Sequence, residues 1–449
     1  MTRALIIGFL FAACTPPAPA PTPRWSVRDS FIRDPEGRAV ILRGANVSGR
    51  HKEPPYFDFH STAEFEAMRN DWGMNSVRFL VEWAAIEPER GVYDDVYLDE
   101  VARRVKQASD AGLLVFVDMH QDLYGEGFPG GNGAPKWTCD ASHYAAYTPT
   151  TPWFLNYVNR EIMACVDGFW TSRDLQAHYV EAWKRLSEKV AAIPNCIGFD
   201  PMNEPFWGNT AYDIFEEKRV APLYKQIIAT VRATRSDSLA FLEPGSSRNL
   251  GLASNLPRFS EPDVVYAPHA YDTQAESGMG FDSSRRAAIL QNVALLKEEA
   301  DKLGAALVLG EYGGMAQHPG IGEYMDAVYA ASGTVTAGAL YWDYGKNDSY
   351  ALLAADGSEK PELIAAVVRP FPERVAGQPL EFTFDATSGV FKFRYTPDTK
   401  VTAPTLVSLP TKFRTWTAAC DGCELEKDER QLRVTKTSAN EVTITLTKP

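Results

Sequence analysis

The chain has 449 residues, 45% of them hydrophobic, and carries a formal net charge of −13 at pH 7. That length accommodates one large and one small domain with a sizeable core. The acidic balance excludes the basic footprint of a nucleic-acid binder and gives no charge-driven adsorption to anionic membranes.

The N-terminus reads as an export address. Met1-Thr2-Arg3 is a short basic start, followed by an apolar run from Ala4 to Ala13. Spanning a bilayer takes about twenty residues, so the run suits a secretory leader better. It ends in LFAAC, which resembles the lipobox of bacterial lipoproteins with Cys14 as the lipidated residue. Ordinary cleavage near Ala20 is the alternative, although it leaves Pro21 just after the cut. Residues 1–14 are the expected leader, and 15–24, with TPPAPAPTP, a semi-rigid tether. The protein is therefore expected outside the cytoplasm, lipid-anchored to a bacterial membrane or secreted.

From Val40 to Pro370, short apolar runs alternate with amphipathic stretches. AVILRGANV, NSVRFLVEW, LLVFVDMHQD, CIGFDPMNEP, LAFLEPGSS, DVVYAPHAYD, ALVLGEYGG and TAGALYWDYG predict strands. YLDEVARRVKQASDAG, LQAHYVEAWKRLSEKVAA and SRRAAILQNVALLKEEADKLG have helical spacing, the first closing on Gly112. Strands joined by helices pair in parallel, and eight such units close into a barrel. The expected fold class is α/β: a (β/α)8 TIM barrel over 25–372 and an antiparallel β-sandwich over 373–449. In the latter, LEFTFDATSGVFKFRYTP and EVTITLTKP alternate with a period of two. The sandwich is expected to pack on the barrel, since its loops show no aromatic platform for sugar.

Each barrel strand starts apolar and ends polar, at Asn46, Arg78, His120 with Asp122, Asn203 with Glu204, Glu243, His269 with Tyr271, Glu311 and Trp342. Strand ends line the catalytic mouth of such a barrel. Glycoside cleavage uses two carboxyl groups, about 5–5.5 Å apart in retaining enzymes. Glu204 and Glu311 end the fourth and seventh strands and are the candidates. Asn203 is placed to reach a sugar 2-hydroxyl, and His269 to donate to a carboxyl or to substrate. Arg78 is expected to hold Glu311 anionic, with Tyr271 donating to it, while Glu204 keeps its proton as the acid. Glu243 is read as structural, because no Asn precedes it. No HExxH or compact His/Asp cluster stands in the sequence, and neither metal nor cofactor is expected.

The cysteines fit an exported chain. Cys139 and Cys165 flank a long insertion, Tyr124 to Trp170, and are placed to staple it. Cys420 and Cys423 frame CDGC, a local disulfide or, as the rival, a redox or metal pair. Cys196 opens a buried strand and reads as a free core thiol.

MNEP, GEYGG, SVRF, HAYD and YWDYG resemble the strand-end motifs of glycoside hydrolase family 5. Within it, DMHQDLYG, GGNGAPKWTC and the C-terminal sandwich are similar to endoglycoceramidases, retaining enzymes that release intact oligosaccharide from the ceramide of glycosphingolipids. The resemblance implies Glu204 as acid/base and Glu311 as nucleophile. It implies Asn203, His120, Asp122, Arg78, His269, Tyr271 and Trp342 as sugar-binding residues. Lys52, in GANVSGRHKEPPY, is the candidate for the family's sugar-binding lysine, with Arg50 and His51 as alternatives. The implied substrate is a ganglioside or neutral glycosylceramide, met by a monomer at a membrane surface or micelle.

Large apolar side chains in the insertion, in TPWFLNYV and IMACVDGFW, point to a lipid side. Trp153, Phe154, Phe206 and Trp207 are the candidates for a ceramide groove. The alternative is a mini-core under the insertion. Two other functions share these residues: an endo-β-1,4-glucanase or mannanase with an open cleft, and a non-catalytic glycolipid-binding lipoprotein.

Overall fold

The computed structural model describes residues 23–151, 153–437 and 439–449. The expected leader, Cys14 and the tether before Pro23 lie outside them. The eight expected strands are present: β1 (Leu42–Val47), β2 (Ser76–Glu82), β3 (Leu114–His120), β4 (Cys196–Asp200), β5 (Leu239–Leu242), β6 (Val264–Tyr266), β7 (Ala306–Tyr312) and β8 (Gly338–Tyr341). They close into a barrel in the order β7-β8-β1-β2-β3-β4-β5-β6, and the pairings are parallel.

The crossover helices form where the sequence has apolar spacing and caps. Asp94 accepts from the Tyr97 amide at the start of Asp95–Asp110, and Ser172 accepts from Leu175 at the start of Arg173–Val190. Arg286–Leu303 ends on Gly304 at φ 71°, a left-handed cap that glycine adopts without strain. One crossover departs from the repeat. Between β5 and β6 lies only the 3-10 turn Ser246–Leu250. The following GLASNLPRF has no amphipathic period and contains Gly251 and Pro257, both poor helix residues.

The barrel interior is layered. Its floor is apolar and includes Leu42, Phe116, Ile197, Phe241, Val265 and Val308. Phe116 and Phe241 stack with centroids 4.0 Å apart. Gly198 of β4 makes room for them, since a Cβ there would come within 2.6 Å of the Phe241 ring. Above the floor the inward positions turn polar: Asn46, Arg78, Asp118, His120, Asp200, Glu243, His269 and Glu311 are all buried.

The sandwich differs from expectation in where its strands come from. Gly377–Asp385, Val390–Pro397, Val442–Thr447 and Thr417–Asp421 form one four-stranded sheet. The facing sheet recruits the start of the chain: Ser26–Arg28, Phe31–Arg33 and Ala39–Val40 join Phe371–Val375, Leu406–Ser408, Gln431–Thr437 and Cys423–Lys427. Residues 26–40 thus do not enter the barrel, as the 25–372 boundary implied. Ala39–Val40 pairs antiparallel with Phe371–Val375, which supplies the edge that three short strands need. One apolar cluster runs from the barrel floor into the sandwich through Tyr329 and Phe382, and Arg69 clamps Glu373 at 2.9 Å.

Both expected disulfides are formed, Cys139–Cys165 and Cys420–Cys423. Cys196 is free and buried, and burial pushes its thiol up to about 12. Among the described residues, no helix is long and apolar enough to cross a membrane.

Phe116→Ala removes half of the ring stack from a floor that cannot collapse. Urea unfolding should show a loss of about 3–5 kcal/mol, read from the midpoint at an unchanged slope.

Candidate active site

The polar layer is organised around Arg78, which has no exposure to solvent. Its Nη1 donates to Glu311 Oε1 at 2.6 Å and to Asn46 at 3.0 Å. Nη2 donates to Glu243 Oε1 at 2.7 Å and to Asn203 Oδ1 at 3.0 Å, and Nε to Asp200 at 3.0 Å. Asp118 lies 3.0 Å from Nη2. Burial and the neighbouring Glu243 carboxylate, against the pull of Arg78, hold the Asp200 carboxyl far above its ordinary range.

Glu204 and Glu311 meet at the mouth. One oxygen of each, together with a nitrogen of His269, all lie within 4.8 Å of one another. This suits a retaining pair, whose carboxyl groups stand about 5–5.5 Å apart. Glu311 Oε2 accepts from the Tyr271 hydroxyl at 2.8 Å. Glu204 Oε1 pairs with His269 Nδ1 at 2.6 Å and accepts from Asn249 Nδ2 at 2.7 Å. The Glu204 backbone stands at φ 40°, in the left-handed region that non-glycine residues rarely occupy. Glu243 Oε2 accepts from its amide at 2.9 Å, and Gln121 Nε2 donates to its carbonyl at 3.1 Å. The strained turn is thus held from both sides.

The two carboxyls shift in directions opposite to those expected. Burial raises the Glu311 carboxyl above its ordinary value, and His269 and Arg78 only partly offset this. Burial raises Glu204 as well, but the hydrogen bond and charge of His269 outweigh it and bring Glu204 below its ordinary value. Burial alone would keep His269 neutral. Glu243 and Glu311 overcome it and raise the imidazole well above 6.5. His269 Nδ1, 2.6 Å from Glu204, is thus placed to hold the proton that the acid delivers. The expectation failed because it assigned Arg78 to Glu311 alone, whereas Arg78 is divided among several carboxyls.

The cleft has a volume of about 1110 Å³. Lys52, His120, Asp122, Asn203, Glu204, Phe206, Trp207, Trp153, Phe154, Tyr271, Glu311 and Trp342 all line it. Two expected sugar-binding residues do not. Arg78 is fully buried with its donors engaged by the protein, and His269 is buried between Glu204 and Glu243 at 3.2 Å. Both act through the carboxyls. Lys52 lines the cleft: its Nζ binds Asp122 at 2.6 Å and lies 4.3 Å over the Trp342 ring. Of the alternatives, His51 is buried against the Leu80 carbonyl and neither it nor Arg50 lines the cleft. His120 bonds Asp118 at 2.8 Å and stacks beneath Trp342.

The same cleft is lined by an aromatic ladder. Trp153 meets Tyr157 at 5.6 Å, Tyr157 meets Phe206 at 5.3 Å, and Phe206 meets Trp207 at 4.2 Å. The second apolar run of the insertion turns inward instead. Ile162, Cys165, Val166, Phe169 and Trp170 are core residues, so the mini-core alternative holds for them. Sequence reasoning missed Asn249, while Glu243 takes the supporting place beside the catalytic carboxyls that its lack of an Asn partner suggested. Glu243 carried a signal, being a strand-end carboxyl like the other two. Asn249 sits on the irregular β5–β6 crossover and carried none.

The profile described as Cellulase (glycosyl hydrolase family 5) matches residues 34–348. The chain belongs to glycoside hydrolase family 5. The profile of the family 5 C-terminal domain matches residues 369–447. Endoglycoceramidase I of Rhodococcus hoagii is 27% identical over 390 residues, covering 82% of this family 5 hydrolase and 76% of that protein. The solved lactosyl-enzyme intermediate of endo-glycoceramidase II from Rhodococcus sp. is 30% identical with a TM-score of 0.83, covering 93% of this chain and 99% of that one. The ganglioside GM3 complex of the same Rhodococcus enzyme is 29% identical with a TM-score of 0.84 and the same coverage.

In this family 5 hydrolase, Glu243→Gln removes the main anion that keeps His269 protonated. The alkaline limb of the kcat/KM profile should move to lower pH. A purely structural role for Glu243 would lower activity without moving the limb. Glu204→Gln should reduce kcat by about 10²–10⁴-fold on substrates with poor leaving groups, and much less on an activated aryl glycoside.

Proposed function

We propose that the protein is a retaining endo-β-glycosidase that cuts glycosphingolipids between glycan and ceramide, releasing both intact. The observation that carries this reading is the mixed lining of one cleft around Glu204 and Glu311. Lys52, His120, Asp122, Trp342 and Tyr271 bring polar groups to it, and the Trp153–Tyr157–Phe206–Trp207 ladder brings a continuous apolar surface. The polar groups match sugar hydroxyls, and the ladder matches an apolar leaving group.

In the first step Glu311 attacks the anomeric carbon while Glu204, supplied with the His269 proton, protonates the leaving oxygen of ceramide. Asn203 faces the 2-hydroxyl, where hydrogen bonds strengthen as positive charge develops on the sugar. Once Glu311 is esterified its negative charge is gone, and with it part of the field that raises His269. The proton affinity of the Glu204–His269 pair falls with it, so Glu204 stands deprotonated and ready to act as a base toward water. Water deprotonated by Glu204 releases the glycan.

The substrate is met in a membrane or micelle. A leader ending at Cys14, with lipid on that residue, places the enzyme beside such a surface outside the cytoplasm. Cys14→Ser should lower the share of the protein recovered in the membrane fraction.

Incubation with lactosylceramide, a ganglioside and carboxymethylcellulose, followed by product masses, tests the activity. Free oligosaccharide with intact ceramide is the expected result. Glucan shortening alone points to an endoglucanase, and no turnover to a binding protein. The kcat/KM profile should be bell-shaped. Its acidic limb lies above 4.5, because Glu311 is raised, and its alkaline limb well above 6.5, because His269 is raised.

A further inference from the structure

We propose that the barrel rim formed by the loops after β3, β4, β5 and β6 is a docking face for a lipid surface, an inference that rests on the glycolipid reading of the cleft. Among the described residues, fourteen large apolar side chains are exposed, and nine of them stand on these four loops. Four follow β3, two follow β4, two follow β5 and one follows β6. Val158 is 58% exposed, Leu250 66% and Met279 67%. Strand order makes the four loops neighbours around one half of the mouth. Soluble monomers rarely gather apolar side chains in this way without a partner.

Two features name the partner as a lipid surface. The rim is continuous with the apolar wall of the cleft, since Trp153, Phe154, Leu155, Val158 and Leu250 belong to both. A lipid leaving the catalytic carboxyls along the ladder therefore emerges among these side chains. The chain also carries a net charge of −13, so charge does not draw it to an anionic surface. Adsorption falls to apolar insertion at the headgroup boundary, where aromatic and aliphatic side chains are favoured. The rim thus seats the mouth on the bilayer so that ceramide need not cross water to enter the groove.

Ile214 and Leu252 belong to the rim, at 45% and 37% exposure, and do not line the cleft. The test is flotation with phosphatidylcholine vesicles that contain no glycolipid. The chain carries Cys14→Ser, so that no lipid anchor contributes, and is compared with the natural rim (wild type below) and with Ile214→Ser/Leu252→Ser added (the double variant), equal thermal melts being the control for folding. Wild type should float with the vesicles at low and high salt, with no gain when phosphatidylserine replaces about a third of the lipid. The double variant should bind about tenfold more weakly. Its turnover of lactosylceramide in vesicles should fall in parallel, while hydrolysis of a soluble aryl lactoside stays unchanged. Wild type that remains in the aqueous fraction, equal binding by the variant, or binding that rises with phosphatidylserine and falls with salt would overturn the proposal. Flotation as expected without release of ceramide leaves the docking face standing and removes the glycolipid activity. Ceramide release at wild-type rate by the variant does the reverse.

Discussion

The site depends on one guanidinium that never meets water. Arg78 collects Asn46 from β1, Asp118 from β3, Asp200 and Asn203 from β4 and its continuation, Glu243 beyond β5, and Glu311 from β7. Burying an ion costs several kcal/mol unless its hydrogen bonds are met and its charge is compensated. Here both conditions hold, and they hold only when the barrel is closed, because the partners come from different strands. The interaction that compensates Arg78 is therefore also the one that fixes Glu311 and Asn203. Removal of Arg78 would leave several carboxyls buried together with one cation fewer, and the fold and the site would fail together.

A single cation shared among many anions cannot fully ionise any one of them. This is why Glu311, despite a 2.6 Å contact with Arg78, is raised by burial. It is also why His269 becomes the second cation of the layer, with Glu204, Glu243 and Glu311 around it at 2.6, 3.2 and 3.4 Å. The proton for the leaving group is stored on a nitrogen, one hydrogen bond from the carboxyl that delivers it. Coupling follows from the same charges. Glu311 helps to keep the proton on His269, so consumption of Glu311 charge in the first half-reaction alters the acid/base for the second. The two halves of a double displacement need opposite protonation states of Glu204, and the shared field supplies the change without movement of a residue.

Much of this was legible from strand ends. An apolar run that closes on a polar residue is a strand emerging at a mouth, and that rule located Asn46, Arg78, His120, Asn203, Glu204, Glu243, Tyr271, Glu311 and Trp342 without coordinates. It could not divide Arg78 among its partners, because ion pairing depends on three-dimensional distance, and residues 118, 200 and 243 approach only after closure. Nor could it separate the apolar runs of the insertion. WFLNYV and IMACVDGFW have similar composition, yet Trp153, Phe154 and Leu155 are exposed while Ile162, Cys165 and Trp170 are buried. The first run forms a separate 3-10 turn, Trp153–Val158, whereas the second lies on the inward face of the helix Arg160–Thr171, which Cys165 ties to Cys139. The recruitment of Ser26–Val40 into the C-terminal sheet was hidden for another reason: strands of two or three residues carry too little pattern to be read.

The ladder also bears on what the enzyme rejects. The acid must sit beside the oxygen of the departing group, so that group leaves past Phe206 and Trp207. A glucan would place a second sugar there, with hydroxyls that lose water on entry. Along the ladder the polar groups are few: the Tyr157 hydroxyl, directed at Asp122 at 3.4 Å, and the indole N–H groups of Trp153 and Trp207. Each hydroxyl left without a partner costs about 1–3 kcal/mol, roughly a factor of ten or more in kcal-to-rate terms for each. An alkyl chain loses nothing in the same place and gains by burial. Selection between a lipid and a polysaccharide therefore needs no clash and no special contact with the head group. It follows from which wall the leaving group must pass, and Glu204, held by His269, Asn249 and Glu243, fixes that direction.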